Sequence, residues 1–156
     1  EAGDGVSYMY AGPLEDTALT GLPSTTPVIV ISSPRGMVAA LQPQSRWMLQ
    51  PVEVATTDCV SACAWLVVLS ENACIQPHVD EITFHVAVTG PAGALLAGTG
   101  EYHPGATQEL LDRVRPAFAA WLTPHLLASV ETNEGLYPAQ ISQIIRYYPD
   151  IICEVN

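Results

Sequence analysis

Between Pro27 and the turn-forming stretch Ser32-Ser33-Pro34, the chain runs Val28-Ile29-Val30-Ile31. A continuous β-branched run bounded by turn residues is the signature of a strand buried on both faces, as in a parallel sheet. Parallel strands cannot be joined by tight hairpins, so the connections must be crossovers. Helical segments alternating with further strands are therefore expected along the chain.

Gly5 to Ala11 reads as a first strand, followed by a turn at Gly12-Pro13. Leu14 to Leu22 is expected as a short helix, capped by Asp16 or Thr17 and ended by Gly21 and Pro23. Met37 to Leu49 predicts a helix interrupted at Pro43, and Val52 to Ala55 a strand. Cys59 to Leu69 is apolar and long enough for a buried helix, and Ile82 to Val88 is a further strand. Gly90 to Gly105 reads as a loop or hairpin excursion. Thr107 to Val130 has helical spacing, with Pro116 and Pro124 placed to bend or divide it. Pro138 to Tyr147 is expected as a short helix opened by its proline, and Ile151 to Cys153 as a last strand. The fold class is α/β, a mostly parallel sheet with right-handed crossover helices. One domain over residues 6–153 is expected, with 1–5 a trimmed or processed N-terminal end, since the chain opens at Glu1 rather than Met.

The chain has 156 residues, 49% of them hydrophobic and 13% charged, enough for a real core and contrary to disorder. Its longest apolar run, Ala62 to Leu69, falls far short of the roughly 20 residues of a membrane span. Sixteen acidic residues stand against five arginines and no lysine, a formal net charge of −11. Such a field repels a phosphate backbone and an anionic membrane surface, so neither nucleic acid nor membrane is expected as a partner. The missing lysine removes Schiff bases, Ser–Lys dyads and phosphate-loop lysines.

Three places carry side chains with chemistry. Ser33-Pro34-Arg35-Gly36 follows a buried strand and precedes a helix, where backbone N–H groups cradle an anion or a developing oxyanion; an ordinary strand-to-helix turn is the alternative. Ser61 stands among small residues in Cys59-Val60-Ser61-Ala62-Cys63 at the start of the apolar helix. The competing role for such a serine is a bond back to a helix carbonyl. His85 lies on an apolar strand 24 positions after Ser61. It is either a satisfied core residue or a base within reach of a serine hydroxyl. His78 with Asp80-Glu81 is a weaker metal candidate against a solvated turn, and no metal or cofactor is expected. Trp47, Trp65 and Trp121 read as core or subunit interface.

Taken together these motifs resemble the Clp-protease/crotonase superfamily, in which a Ser-Pro-Gly-Gly turn supplies one oxyanion N–H. There a nucleophilic serine heads a buried helix and a histidine base follows about two dozen residues later. The Cys-x-Ser-x-Cys string is similar to that of the bacterial Clp-like branch, whose members often carry a signal sequence. Tyr8 to Leu14 also resembles the family's first strand and its Gly-x-Ile turn. The resemblance implies a single domain of that fold and a serine hydrolase acting on peptides or proteins. Ser61 is then the nucleophile, His85 the base, and the N–H groups of Gly36 and Ala62 the oxyanion hole. Glu134 occupies the place of the triad acid, with Glu131 and Asp150 as rivals. Arg35 departs from the pattern by replacing the first glycine of the turn, where it binds a substrate carboxylate or blocks the cleft.

The resemblance also implies a trimer or ring, and a periplasmic or secreted setting if a signal peptide preceded Glu1. A catalytically inactive binding or assembly module of the same fold is the alternative. An acyl-CoA enzyme ranks last for want of a basic surface. Four cysteines allow up to two disulfides in three connectivities, and zinc is disfavoured because no Cys-x-x-Cys pair is present. If Cys59 and Cys63 share one helix face, each is expected to pair outward, with Cys74 or Cys153 as partners.

Overall fold

The computed structural model describes residues 6–89 and 101–154. The chain is mixed α/β. Strands β1 (Tyr8–Ala11), β2 (Val28–Ser32), β3 (Val52–Val54) and β4 (Ala73–Ile75) form a four-stranded sheet in that order, every neighbouring pair parallel. Connections within it are crossovers, with α2 (Ala62–Leu69) lying between β3 and β4. Residues 62–68 of α2 are all buried, as a helix hydrophobic all round requires. The aromatic core runs from Trp65 to Phe84 and on to Phe118, at centroid separations of 5.2 and 5.8 Å.

The break expected at Pro43 separates a 3₁₀ turn, Val38–Leu41, from a short helix α1 (Arg46–Leu49) whose N-cap Ser45 accepts from the Met48 N–H. Pro116 divides the long helical stretch into α3 (Pro104–Arg113) and α4 (Pro116–Thr132), sitting at the N-terminus of α4 where its missing N–H costs nothing. Strand β5 (Glu81–His85) leaves the main sheet to pair antiparallel with β8 (Leu136–Gln140). Between them, β6 (Val88–Thr89) and β7 (Glu101–Tyr102) pair antiparallel, and the rest of the expected excursion, residues 90–100, lies outside the described residues.

Five expectations are corrected. Residues 14–22 form successive tight turns rather than a helix, with i→i−3 bonds from Ala18, Thr20 and Leu22. Two threonines and Gly21 supply too little helix propensity there. β2 is not buried on both faces: Val28 and Val30 are in the core while Ile31 is 44% exposed. Pro138 lies within β8 and no helix opens at it; α5 (Ile141–Ile144) starts three residues later. β8 pairs only with β5, so the proline sits on an open edge that needs no N–H. The last strand is a single bridge, Ile152 to Ile75. The cysteines pair as Cys59–Cys63 and Cys74–Cys153. Helix α2 begins at Ala62, so Cys59 stands on the extended segment before it, and the turn through Ser61 folds the two Cα atoms to 5.1 Å.

Candidate functional site

β2 runs out of the main sheet into the Ser33–Gly36 turn. The Ser33 N–H donates to the Asp58 carbonyl, and the Val60 N–H donates to the Ser33 carbonyl, at 2.7 and 2.9 Å. Ser32 Oγ adds a bond to the Asp58 carboxylate at 2.5 Å. On the other edge of the turn, Leu14 donates to the Arg35 carbonyl and accepts from the Met37 N–H. Peptide groups alternate direction along an extended segment, so Gly36, between those two contacts, turns its own N–H away from Leu14. Its Cα is pressed against α2: a Cβ built there would meet Cβ of Ala62.

Ser61 is the N-cap of α2, at φ 63°, ψ −114°. Positive φ in a non-glycine residue costs on the order of 1–3 kcal/mol and persists only where the surroundings over-determine it. The surroundings are specific. The Ser61 N–H donates to the Thr83 carbonyl at 2.9 Å, its carbonyl accepts from Trp65 at 3.1 Å, and the Cys59–Cys63 disulfide closes the five-residue loop of which it is the centre. The hydroxyl makes no cap bond. The Ser61 side chain is therefore not used to hold the helix together, the role that competed with a chemical one.

β5 brings His85 to the same place. Val60 bridges Thr83, and the Trp65 indole N–H donates to the His85 carbonyl at 2.9 Å, tying the base of the histidine to the first turn of α2. Gly36, Ser61, Ala62 and His85 line one cavity of about 20 Å³, walled also by Trp65 and Leu110. That is room for about one water molecule. The structure thus gathers four of the five residues singled out from the sequence around one small space.

The fifth is placed differently. The carboxylate of Glu134 is exposed, and the residue meets His85 through its backbone: His85 Nε2 lies 2.9 Å from the Glu134 carbonyl oxygen. His85 Nδ1 contacts the Val86 carbonyl. Glu134 (φ 56°) and Gly135 (φ 82°) make a left-handed turn at the end of α4 that brings this carbonyl to the ring nitrogen. Glycine is required at 135, since a Cβ there would stand 2.6 Å from Val86 Cγ2 and 3.2 Å from His85 Nε2. Glu131 is exposed, and Asp150 lies in a groove at the opposite end of α2.

Two carbonyls facing one imidazole make an asymmetric demand, because a neutral ring has a single N–H. Burial lowers the His85 pKa; the Glu134 and Val86 carbonyls and the Glu134 charge oppose that shift without overcoming it. His85 is 1% exposed, and that burial favours its neutral form. A proton on Nδ1 is donated to Val86 and leaves Nε2 as the basic nitrogen, whereas a proton on Nε2 is donated to the Glu134 carbonyl.

Arg35 is half-buried and does not line the cavity. His78 Nε2 lies 3.1 Å from the Ala55 carbonyl, His103 caps α3 by accepting from Ala106, and His125 stacks on Tyr137 at 4.6 Å. Trp65 as the anchor of His85 escaped the sequence reading, which placed it simply in the core or an interface. Its signal is the spacing of four from Ser61, one helical turn. Neither a scan against protein-family models nor a search of the curated proteins returns a match for this chain.

Proposed function

We propose that this chain is a serine hydrolase of the Clp-protease/crotonase type, acting on peptides, with Ser61 as nucleophile and His85 as general base. The observation that carries it is the Ser61 backbone: a strained, clamped serine whose hydroxyl is free of cap duty, sharing a cavity with a buried neutral histidine. The bridges Leu14–Gly36, Ser33–Cys59 and Val60–Thr83 support the fold assignment, because they repeat one departure from the main sheet after successive strands.

In this mechanism Ser61 Oγ attacks the substrate carbonyl while His85 Nε2 takes its proton. The N–H groups of Gly36 and Ala62 stabilise the oxyanion, a contribution of about 2.7–4 kcal/mol per donor in other hydrolases. The Val86 carbonyl does the orienting work of a triad acid by holding Nδ1–H, and the exposed Glu134 carboxylate adds only its field. For substrate to enter, the cavity must widen and Nε2 must leave the Glu134 carbonyl. Two disulfides support a periplasmic or secreted setting. Assembly into a trimer or ring rests on the family resemblance alone.

The test is a fluorophosphonate probe. The folded protein should be labelled at Ser61, and Ser61→Ala should abolish labelling; absence of labelling of the folded wild type at several pH values sinks the assignment. A non-catalytic binding or assembly module is the second reading, favoured by the engagement of both His85 nitrogens with backbone carbonyls. It requires Ser61→Ala to leave the function intact.

A further inference from the structure

The cavity beside Ser61 has a mouth and a floor of different character. Val38 is 39% exposed, and Gly36 and Ser61 are half-buried, so the cavity meets solvent on their side. Leu41, Trp65, Ala87 and Leu110 line the deeper part and are all buried. Among the described residues, none that lines the space is Asp, Glu or Arg. Beyond Ser61 and His85 its walls are carbon, since the Trp65 indole N–H is given to the His85 carbonyl.

The floor is held at its size from several sides. Leu110 is on α3, and Arg113, about one turn further along that helix, donates to the Leu41 carbonyl at 2.6 Å. That bond ties α3 to the end of the 3₁₀ turn. The Thr107 hydroxyl, also on α3, accepts from the Ala87 N–H at 2.9 Å. Walls tied in this way within a close-packed core do not take an extra methylene without displacement. The room between them, about 20 Å³, suits a group the size of one water molecule or one methyl. The widening that admits a peptide backbone therefore falls on the Val38 and Ser61 side and leaves the floor as it stands.

We infer that this floor receives the side chain on the acyl side of the scissile bond, and that the chain hydrolyses peptides after alanine. The inference rests on Ser61 as the nucleophile. Ser61 Oγ bonds the alanyl carbonyl carbon, the C–N bond to the following residue breaks, and the proton taken by His85 leaves on the new amine. Water then releases the alanyl carboxylate and restores the serine. The alanine methyl fills the floor, whereas a leucine brings three further carbons against Leu41, Trp65 and Leu110. A charged side chain there would lose its water and gain no partner. A single methylene too many in an apolar pocket changes the specificity by about tenfold or more.

Peptidyl diphenyl phosphonates that differ only in carrying alanine, leucine or phenylalanine beside phosphorus test this on the intact protein. Rates of Ser61 modification are read by mass spectrometry, next to those of the fluorophosphonate probe. The alanine reagent should react about tenfold or more faster than the leucine reagent, and the phenylalanine reagent slowest. Leu110→Ala, which removes one wall, should raise the leucine rate relative to the alanine rate. Fluorophosphonate labelling of the wild type with no preference for the alanine reagent overturns this inference and leaves the hydrolase assignment standing. No modification by any reagent overturns both. A folded Leu110→Ala protein that keeps the wild-type ranking also overturns the pocket, and the wild-type ranking decides alone if that variant does not fold.

Discussion

Gly36 and Ala62 are in backbone-to-methyl contact: a Cβ added at Gly36 would stand 2.6 Å from Cβ of Ala62 and 3.0 Å from Cβ of Leu14. The two segments that carry the proposed oxyanion donors are therefore packed as closely as the chain allows. Gly36→Ala should push them apart, costing about 1–3 kcal/mol of stability as an overpacking change and removing fluorophosphonate labelling of Ser61. Thermal unfolding and the labelling assay read the two effects separately. A variant of wild-type stability and labelling contradicts the contact.

The two disulfides close loops of very different length, with sequence separations of 4 and 79. On the chain-entropy account, removing Cys74–Cys153 as a double serine variant should cost about 4.5 kcal/mol, and removing Cys59–Cys63 only about 2 kcal/mol. The labelling should rank the other way, because the short loop holds Ser61 at φ 63°. Denaturant titrations alongside labelling rates would show whether the order reverses.

His85 gives the stability a pH dependence of definite sign. Its folded pKa lies below the ordinary 6.5 because burial disfavours the charged ring. Below that ordinary value the unfolded chain takes up a proton that the folded one refuses, so stability is fully present above about pH 6.5 and falls as the pH drops towards the lowered folded value. His85→Gln should flatten this component of the curve below about pH 6.5. An unchanged slope would place the dependence on other groups.

The Trp65 indole donates to the His85 carbonyl at 2.9 Å inside the core. Trp65→Phe keeps an aromatic ring but leaves that carbonyl without its donor, at a cost of about 1–3 kcal/mol. If the bond also positions the histidine, labelling should slow at pH values where the variant is fully folded. Loss of stability with an unaltered labelling rate would confine Trp65 to packing.

Much of the main sheet was legible along the chain. Val28 to Ile31 predicts its strand, Pro43 and Pro116 mark breaks that occur, and Gly36, Ser61, Ala62 and His85, which the resemblance singles out, line one small cavity. β4 escaped notice because Ala73-Cys74-Ile75 is too short to show a period. The helix expected after Pro138 rested on proline's preference for first turns, which says nothing about an open sheet edge.

The sequence by itself determined the apolar segments, the turn residues between them, the absence of lysine chemistry and the residues that could react. Those follow from side-chain type and local spacing. Only the tertiary structure decided that Cys59 pairs with Cys63, that Glu134 offers His85 its carbonyl and not its carboxylate, and that Ser61 is held at positive φ with a hydroxyl that makes no cap bond. Each of these depends on where α2 starts and how α4 ends relative to β5. Contacts between segments far apart in the chain set those positions, and no local pattern records them.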